Sequence, residues 1–154
     1  MWIDFGKKNL FVMSIPWGDV STAHHTTGIP NIETFFGVKP AVYKWMKAQR
    51  LFNWILKMEV VRNIIKKRID QRPAGPDEKM RTEGISLVWG KGTNAEGESK
   101  TIRLKGPEGY TFTAHASLII ACEILKGNWK PGYQTPAGCY GSDLVLKVPG
   151  VSFY

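Results

Sequence analysis

The sequence predicts an α+β domain: a largely antiparallel or mixed sheet with helices on one face. Three observations carry that expectation. β-prone segments fall in hairpin-like pairs at 2–15 and 85–105, and a helical apolar pattern fills the middle of the chain. Sixteen glycines and nine prolines in 154 residues exceed the ~12% share of an average protein, which requires many turns and argues against an all-helical bundle. About five or six strands are expected in the sheet.

The elements follow in order. Residues 2–5 and 9–15 read as short strands around a turn at Gly6-Lys7-Lys8. Asp19 stands where an N-cap would, before a short helix that Gly28 ends. Ile32 to Phe36 returns to a β pattern. Pro40 opens a helix carrying Val42, Trp45, Met46, Phe52, Ile55 and Leu56, and a second helix runs from Val60 to Ile69. Gln71 to Gly84 is rich in charge and proline and reads as a mobile loop. Ile85–Trp89 and Lys100–Lys105 form a hairpin with a long polar tip. Thr113 caps a helix over 114–126 with Ala114, Leu118, Cys122 and Leu125 on its apolar face, and Gly127 stops it. Thr135 and Pro136 are the N-cap and first residue of a short helix, and Ser142–Val148 and Val151–Tyr154 read as extended. The whole chain, 1–154, is read as one domain.

Composition bounds the function classes. Apolar residues make up 43% and charged residues 22%, the proportions of a globular chain. A chain of this length can bury ~70% of its unfolded surface. The longest apolar runs, such as Leu118–Cys122, are far shorter than the ~18 residues that span a bilayer, so no membrane partner is expected. Cys122 and Cys139 belong to no CxxC pair, so neither zinc nor a disulfide framework is indicated and a reducing cytoplasm is the simpler compartment. Cys122, on an apolar helix face, is expected to be buried. The first residues lack a signal-peptide layout and read as a strand entered in mid-fold, as in a piece of a longer protein.

The net charge is +8. Nine basic residues lie between Lys44 and Arg72 against only Glu59 and Asp70. Trp45, Phe52 and Trp54 are interleaved with them, as in some nucleic-acid surfaces. They also fall on the apolar helical stripe, so packing explains them better and nucleic acid is the minor reading. Residues 42–65 hold thirteen large apolar side chains besides Tyr43, more than one side of a modest sheet needs. A homodimer with Trp45, Phe52 or Trp54 near the contact is therefore expected, its basic face left at the rim.

Few motifs carry chemistry. Gly90-Lys91-Gly92-Thr93-Asn94-Ala95 matches G-x-G-x-x-A, but β pattern rather than a helix follows, and Glu96 and Glu98 would repel a phosphate. A hairpin tip is the expectation, with no complete cofactor site. No P-loop or G-x-S-x-G is present. His24 and His25 would point about 100° apart on a helix, and no H-E-x-x-H partners them or His115, so no metal is expected. The densest stretch is Pro16 to Ile32, with two glycines, four hydroxyls, Asp19 and Asn31. It can be an elaborately capped turn or a neutral hydrogen-bonding surface.

That stretch, Pro16-Trp17-Gly18-Asp19 through Thr26-Thr27-Gly28-Ile29-Pro30-Asn31, resembles the PWGD-x-x-TA-x-x-STGIPN signature that opens the C-terminal domain of saccharopine dehydrogenase-like NAD(P)-dependent oxidoreductases. Gly109-Tyr110-Thr111-Phe112-Thr113-Ala114 resembles that family's GY-x-x-TA helix entry. Pro131 to Ala137, followed by Tyr140-Gly141-Ser142-Asp143, resembles its closing PG-x-x-TP segment. Thr26 stands where the family usually has Ser and keeps the hydroxyl. The resemblance implies a substrate-binding and dimerisation domain of an oxidoreductase that transfers a hydride between NAD or NADP and an unidentified substrate. The nucleotide would be held mainly by an N-terminal Rossmann domain outside this chain, and the chain alone would be inactive. Asp19, Thr22, Thr26, Thr27, Gly28, Pro30 and Asn31 would line the substrate cleft. The resemblance assigns no catalytic acid or base, and His24 and His25 are the candidates. A basic nucleic-acid-binding module and a structural oligomerisation domain without an active site are the alternatives.

Overall fold

A computed structural model describes residues 1–6, 8–73 and 75–154. The α+β expectation holds, but the single sheet does not: the strands form two antiparallel sheets of three. In the first, β1 (Trp2–Asp4) pairs with β2 (Asn9–Ser14), Ile3 opposite Leu10, and β2 pairs with β3 (Phe35–Gly37), Met13 opposite Phe36. Lys7 of the expected turn lies outside the described residues. In the second, β4 (Ile85–Thr93) pairs with β5 (Ser99–Pro107), and β6 (Ser152–Phe153) pairs with β5. The sheets meet through side chains instead of a shared ladder. Leu87 and Trp89 of β4 pack on the buried cluster of Ile3, Phe5 and Val12. Arg103 of β5 donates from Nε to the Asp4 carbonyl at 3.1 Å and pairs with the Asp4 carboxylate at 3.2 Å.

The β4–β5 hairpin is longer and its tip tighter than the sequence reading. Gly90 and Gly92 lie in the ladder opposite Ile102 and Lys100. The turn is closed by the Glu98 N–H, which donates to the Asn94 side-chain oxygen at 2.8 Å, and Gly97 takes the left-handed φ of +84° there. The G-x-G-x-x-A match is therefore strand and turn, as expected.

α1 (Asp19–Thr27) ends as the sequence predicts: Gly28 has φ +70° and its N–H bonds the His24 carbonyl. Its start differs. Gly18 is the N-cap, and Asp19 is the first helical residue with no capping hydrogen bond. The Trp17 carbonyl already accepts the Val20 N–H at 3.1 Å, so the turn before the helix initiates it. Asp19 acts instead as an acid in the first turn, where the helix dipole favours it. α2 (Pro40–Lys57) and α3 (Glu59–Asp70) appear where expected, broken by the extended backbone of Met58. Tyr43 ties α2 to the first sheet through the Phe11 ring, 5.2 Å away.

The expected loop over 71–84 is partly helix. α4 (Glu78–Glu83) forms because the Asp77 carboxylate accepts the Met80 N–H at 2.7 Å. Ala74 of that stretch lies outside the described residues. α5 (Gly109–Leu125) begins well before Thr113, since the Glu108 carboxylate accepts the N–H groups of Tyr110 and Thr111 at 2.9 and 3.2 Å. Its inward face is Phe112, Ala116, Ile119 and Ile120, which line an apolar cavity of about 190 Å³ against the following segment. The stripe expected to be core, Ala114, Leu118, Cys122 and Leu125, faces solvent, and Cys122 is exposed. α5 is apolar around nearly its whole circumference, so periodicity could not choose its inner face. α6 (Pro136–Tyr140) has Thr135 as N-cap, as expected. Ser142–Lys147 is a 3-10 helix and not a strand. Lys147 and Lys126 both reach Glu123 of α5, at 3.5 and 3.4 Å, and the Asn128 amide donates to it at 2.8 Å.

The exposed surface is 12361 Å². A compact protein of 17.3 kDa exposes ~7,800 Å² and its unfolded chain ~25,000 Å², so this chain buries about half its unfolded surface and not the ~70% expected. The large excess is apolar: Leu125 is 87% exposed and Trp45 78%. The three aromatics Trp45, Phe52 and Trp54 are all exposed. Among the described residues no helix is long and apolar enough to cross a membrane.

Candidate functional site

The helical repeat of α1 sorts its residues. Asp19, Thr22, Ala23, Thr26 and Thr27 stand at i, i+3, i+4, i+7 and i+8, so they share one face. That face meets the segment Tyr133–Ala137 and encloses an open hollow of about 520 Å³. Thr26 and Thr135 join its two walls, their hydroxyl oxygens 2.6 Å apart across 109 residues of sequence. Thr135 is the one buried polar residue among those described, at 8% exposure. The first and third sequence motifs are thus brought together by one contact.

Four of the residues named from the sequence, Asp19, Thr22, Thr26 and Thr27, line this hollow. Gly28 closes α1, and Pro30 and Asn31 are exposed beyond it, outside the lining. His24 and His25 fall on other faces of the helix. His24 donates from Nδ1 to the Ile29 carbonyl at 2.7 Å and so fastens the chain after α1. His25 packs edge-on to the Tyr133 ring, 5.1 Å between centroids, at the rim. Sequence reasoning passed over Ala23, Tyr133, Gln134, Pro136 and Ala137 as lining residues and treated Thr135 only as a cap. The spacing along α1 would have found Ala23, and the third motif was the signal for the rest.

Proton accounting defines what the hollow offers. Thr26 donates its hydroxyl proton to the Thr22 carbonyl at 2.8 Å. Its contact with Thr135 must then be a bond that Thr135 donates, since a hydroxyl has one proton. The Thr135 oxygen in turn accepts the Gly138 N–H at 3.0 Å. Thr27 donates to the Ala23 carbonyl at 2.8 Å and Thr22 to the Asp19 carbonyl at 3.1 Å. Every threonine of the hollow has given its proton to the protein and presents lone pairs. Thr27 also accepts the Ile29 N–H at 3.2 Å. With the Asp19 carboxylate added and no lysine or arginine in the described lining, the α1 wall offers acceptors within a mostly apolar surface, and Tyr133 and Gln134 bring donors from the opposite wall.

Nearby, partial burial and then the Cys139 thiol beside it push the Tyr140 phenol above its usual value, keeping it protonated at neutral pH. No group of three or more potential metal ligands gathers among the described residues. No protein-family model, curated protein or solved structure matches this chain.

Proposed function

We propose that this chain is the C-terminal, substrate-binding domain of a saccharopine dehydrogenase-like oxidoreductase, which transfers a hydride between NAD or NADP and a substrate bearing a donor group such as an amine. The observation that carries the reading is the Thr26–Thr135 hydrogen bond, which joins two of the three family-like motifs at one hollow. The threonine oxygens and the Asp19 carboxylate of the α1 wall support a protonated amine or amide at the polar end of the substrate, with the apolar remainder of the lining against the rest of it. The cofactor supplies the hydride chemistry, and this chain's part is placement. Its own residues do not fit a dinucleotide, because the one Gly-rich match lies in a hairpin with no helix behind it. A separate nucleotide-binding domain is therefore part of the proposal. The neutral stripe of Ala114, Leu118, Cys122 and Leu125 on α5 supports a protein neighbour there.

The test has two readings. The full-length gene product is expected to bind NAD(H) or NADP(H), and binding of neither would refute the oxidoreductase assignment. On the chain described above, amide NMR shifts at Thr22, Thr26, Thr27 and Thr135 are expected on adding short alkylamines. Shifts from matched carboxylic acids and none from amines would refute the assignment of the hollow's chemistry.

A further inference from the structure

The α2–α3 hairpin combines two features that the substrate reading does not use. Its cations are nine against two carboxylates over residues 44–72, so seven of the chain's eight net charges sit there. Its apolar side chains are also uncovered: Trp45 is 78% exposed, Leu51 74% and Trp54 66%. On α3 the helical repeat puts Val60, Ile64, Ile65 and Ile69 on one side, with Arg68 among them, and Arg62, Lys66 and Lys67 on the other. Only Val61, Ile55, Leu56 and Tyr43 of the hairpin are half-buried among the described positions.

We propose that this hairpin docks on an anionic lipid surface, lying in the interface with its aliphatic and aromatic side chains among the acyl chains and its lysines and arginines on the headgroup phosphates. Each rival occupant satisfies only half of the surface. A second copy of the chain would cover the apolar residues but bring two strongly basic hairpins together. A nucleic acid would satisfy the cations but leave Trp45 and Phe52, neighbours on one face of α2, in water. A membrane interface takes both, and tryptophan favours that boundary. Interfacial docking needs no bilayer-spanning helix, so the short apolar runs that argued against a membrane partner do not bear on it.

The test is co-sedimentation of the chain with phosphatidylcholine vesicles, with and without phosphatidylserine. The chain is expected to pellet with the anionic vesicles alone, less so as salt is raised, and with a blue shift of tryptophan emission. Reversing three exposed charges (Arg62→Glu, Lys66→Glu, Lys67→Glu) is expected to weaken partitioning about a hundredfold. Trp45→Ser with Phe52→Ser, two exposed residues on one face of α2 whose loss leaves every charge in place, is expected to weaken it at least tenfold. All five positions are exposed, and unchanged thermal melts establish that the variants fold. Equal pelleting with and without phosphatidylserine would overturn the proposal. So would vesicle binding that survives the Trp45 and Phe52 substitutions, tight binding to duplex DNA with none to vesicles, or a micromolar dimer that those substitutions dissociate while vesicles are ignored.

Discussion

Replacing Thr26 by Val tests the contact on which the site rests. Valine keeps the branched shape, so the change removes hydrogen bonding and little volume. Two bonds are lost. The first, to the Thr22 carbonyl, bonds back onto the helix four residues earlier, and its loss is small. The second matters: the Thr135 hydroxyl, in a residue only 8% exposed, is left with a proton and no acceptor. Leaving a buried donor unsatisfied costs about 1–3 kcal/mol. For a chain of this size that lowers Tm by about 2–4 °C per kcal/mol.

Urea and thermal unfolding of the parent, Thr26→Val, Thr26→Ser, Thr135→Val and the double valine variant give the answer. Thr26→Ser keeps the oxygen and is expected to match the parent closely. Thr135→Val also loses the cap on Gly138, a further cost of about 0.5–2 kcal/mol. The double variant should be less damaged than the sum of the singles, with a coupling of about 0.5–3 kcal/mol. Thr26→Val unfolding with the parent's midpoint, or strict additivity of the two valines, would refute the claim that this bond joins the walls.

Three other outcomes are expected. Gly84→Ala would put a Cβ into the Met80 carbonyl oxygen and 3.0 Å from the Glu108 side chain, so it should destabilise by about 1–3 kcal/mol in urea unfolding, although Gly84 has an ordinary φ of −67°. Glu123 is held below the usual carboxylate range, first by the Asn128 amide and then by Lys126. A lowered folded-state value means stability that is present above the ordinary glutamate value and lost as pH falls through the lowered one. The stability advantage of the parent over Glu123→Gln should therefore shrink between neutral pH and about pH 3, as followed by urea midpoints. Calorimetric titration of this chain with NAD(H) or NADP(H) should give no dissociation constant below ~10 μM, that is, no binding stronger than ~6.8 kcal/mol.

What the sequence disclosed and what it hid follow from the range of the forces involved. Pro40, Pro136 and Gly28 act on their own φ angles, so the helix starts and the end of α1 were legible. α4 was hidden because six residues carry no readable periodicity, and a side-chain cap at Asp77 decides it. The start of α5 was misplaced because two plausible caps, Glu108 and Thr113, compete, and the earlier one wins by taking two N–H groups. The division into two sheets depends on Leu87 and Trp89 reaching Ile3 and Phe5, a contact that no local pattern encodes. At the site, Asp19, Thr22, Thr26 and Thr27 were named from the resemblance, and the helical spacing they share also carries Ala23. Its opposite wall lies 109 residues away, and only the third motif pointed to it.

The uncovered surface is not uniform, and its chemistry separates the partners it needs. An exposed apolar stripe with no charge of one sign around it, as on α5, is satisfied by another protein surface packed at interior density. The α2–α3 hairpin cannot be satisfied in the same way, because any protein face that buries Trp45 and Phe52 must also neutralise the cations beside them or leave them hydrated at its rim. Lipid headgroups supply that neutralisation as a fluid layer that adjusts to the spacing of the charges. The hollow between α1 and Tyr133–Ala137 differs from both: it is concave, sets a few hydroxyls and the Asp19 carboxylate in a mostly apolar lining, and is sized for a small molecule. Substitutions in one of these places should therefore leave the other two functions intact, because the Thr26–Thr135 bond, the α5 stripe and the hairpin cations share no residue. A Thr26→Val variant that binds vesicles as the parent does, and an Arg62→Glu, Lys66→Glu, Lys67→Glu variant that takes up alkylamines as the parent does, are the expected pair of results. Loss of both activities in either variant, with its melt unchanged, would mean that the surfaces act as one.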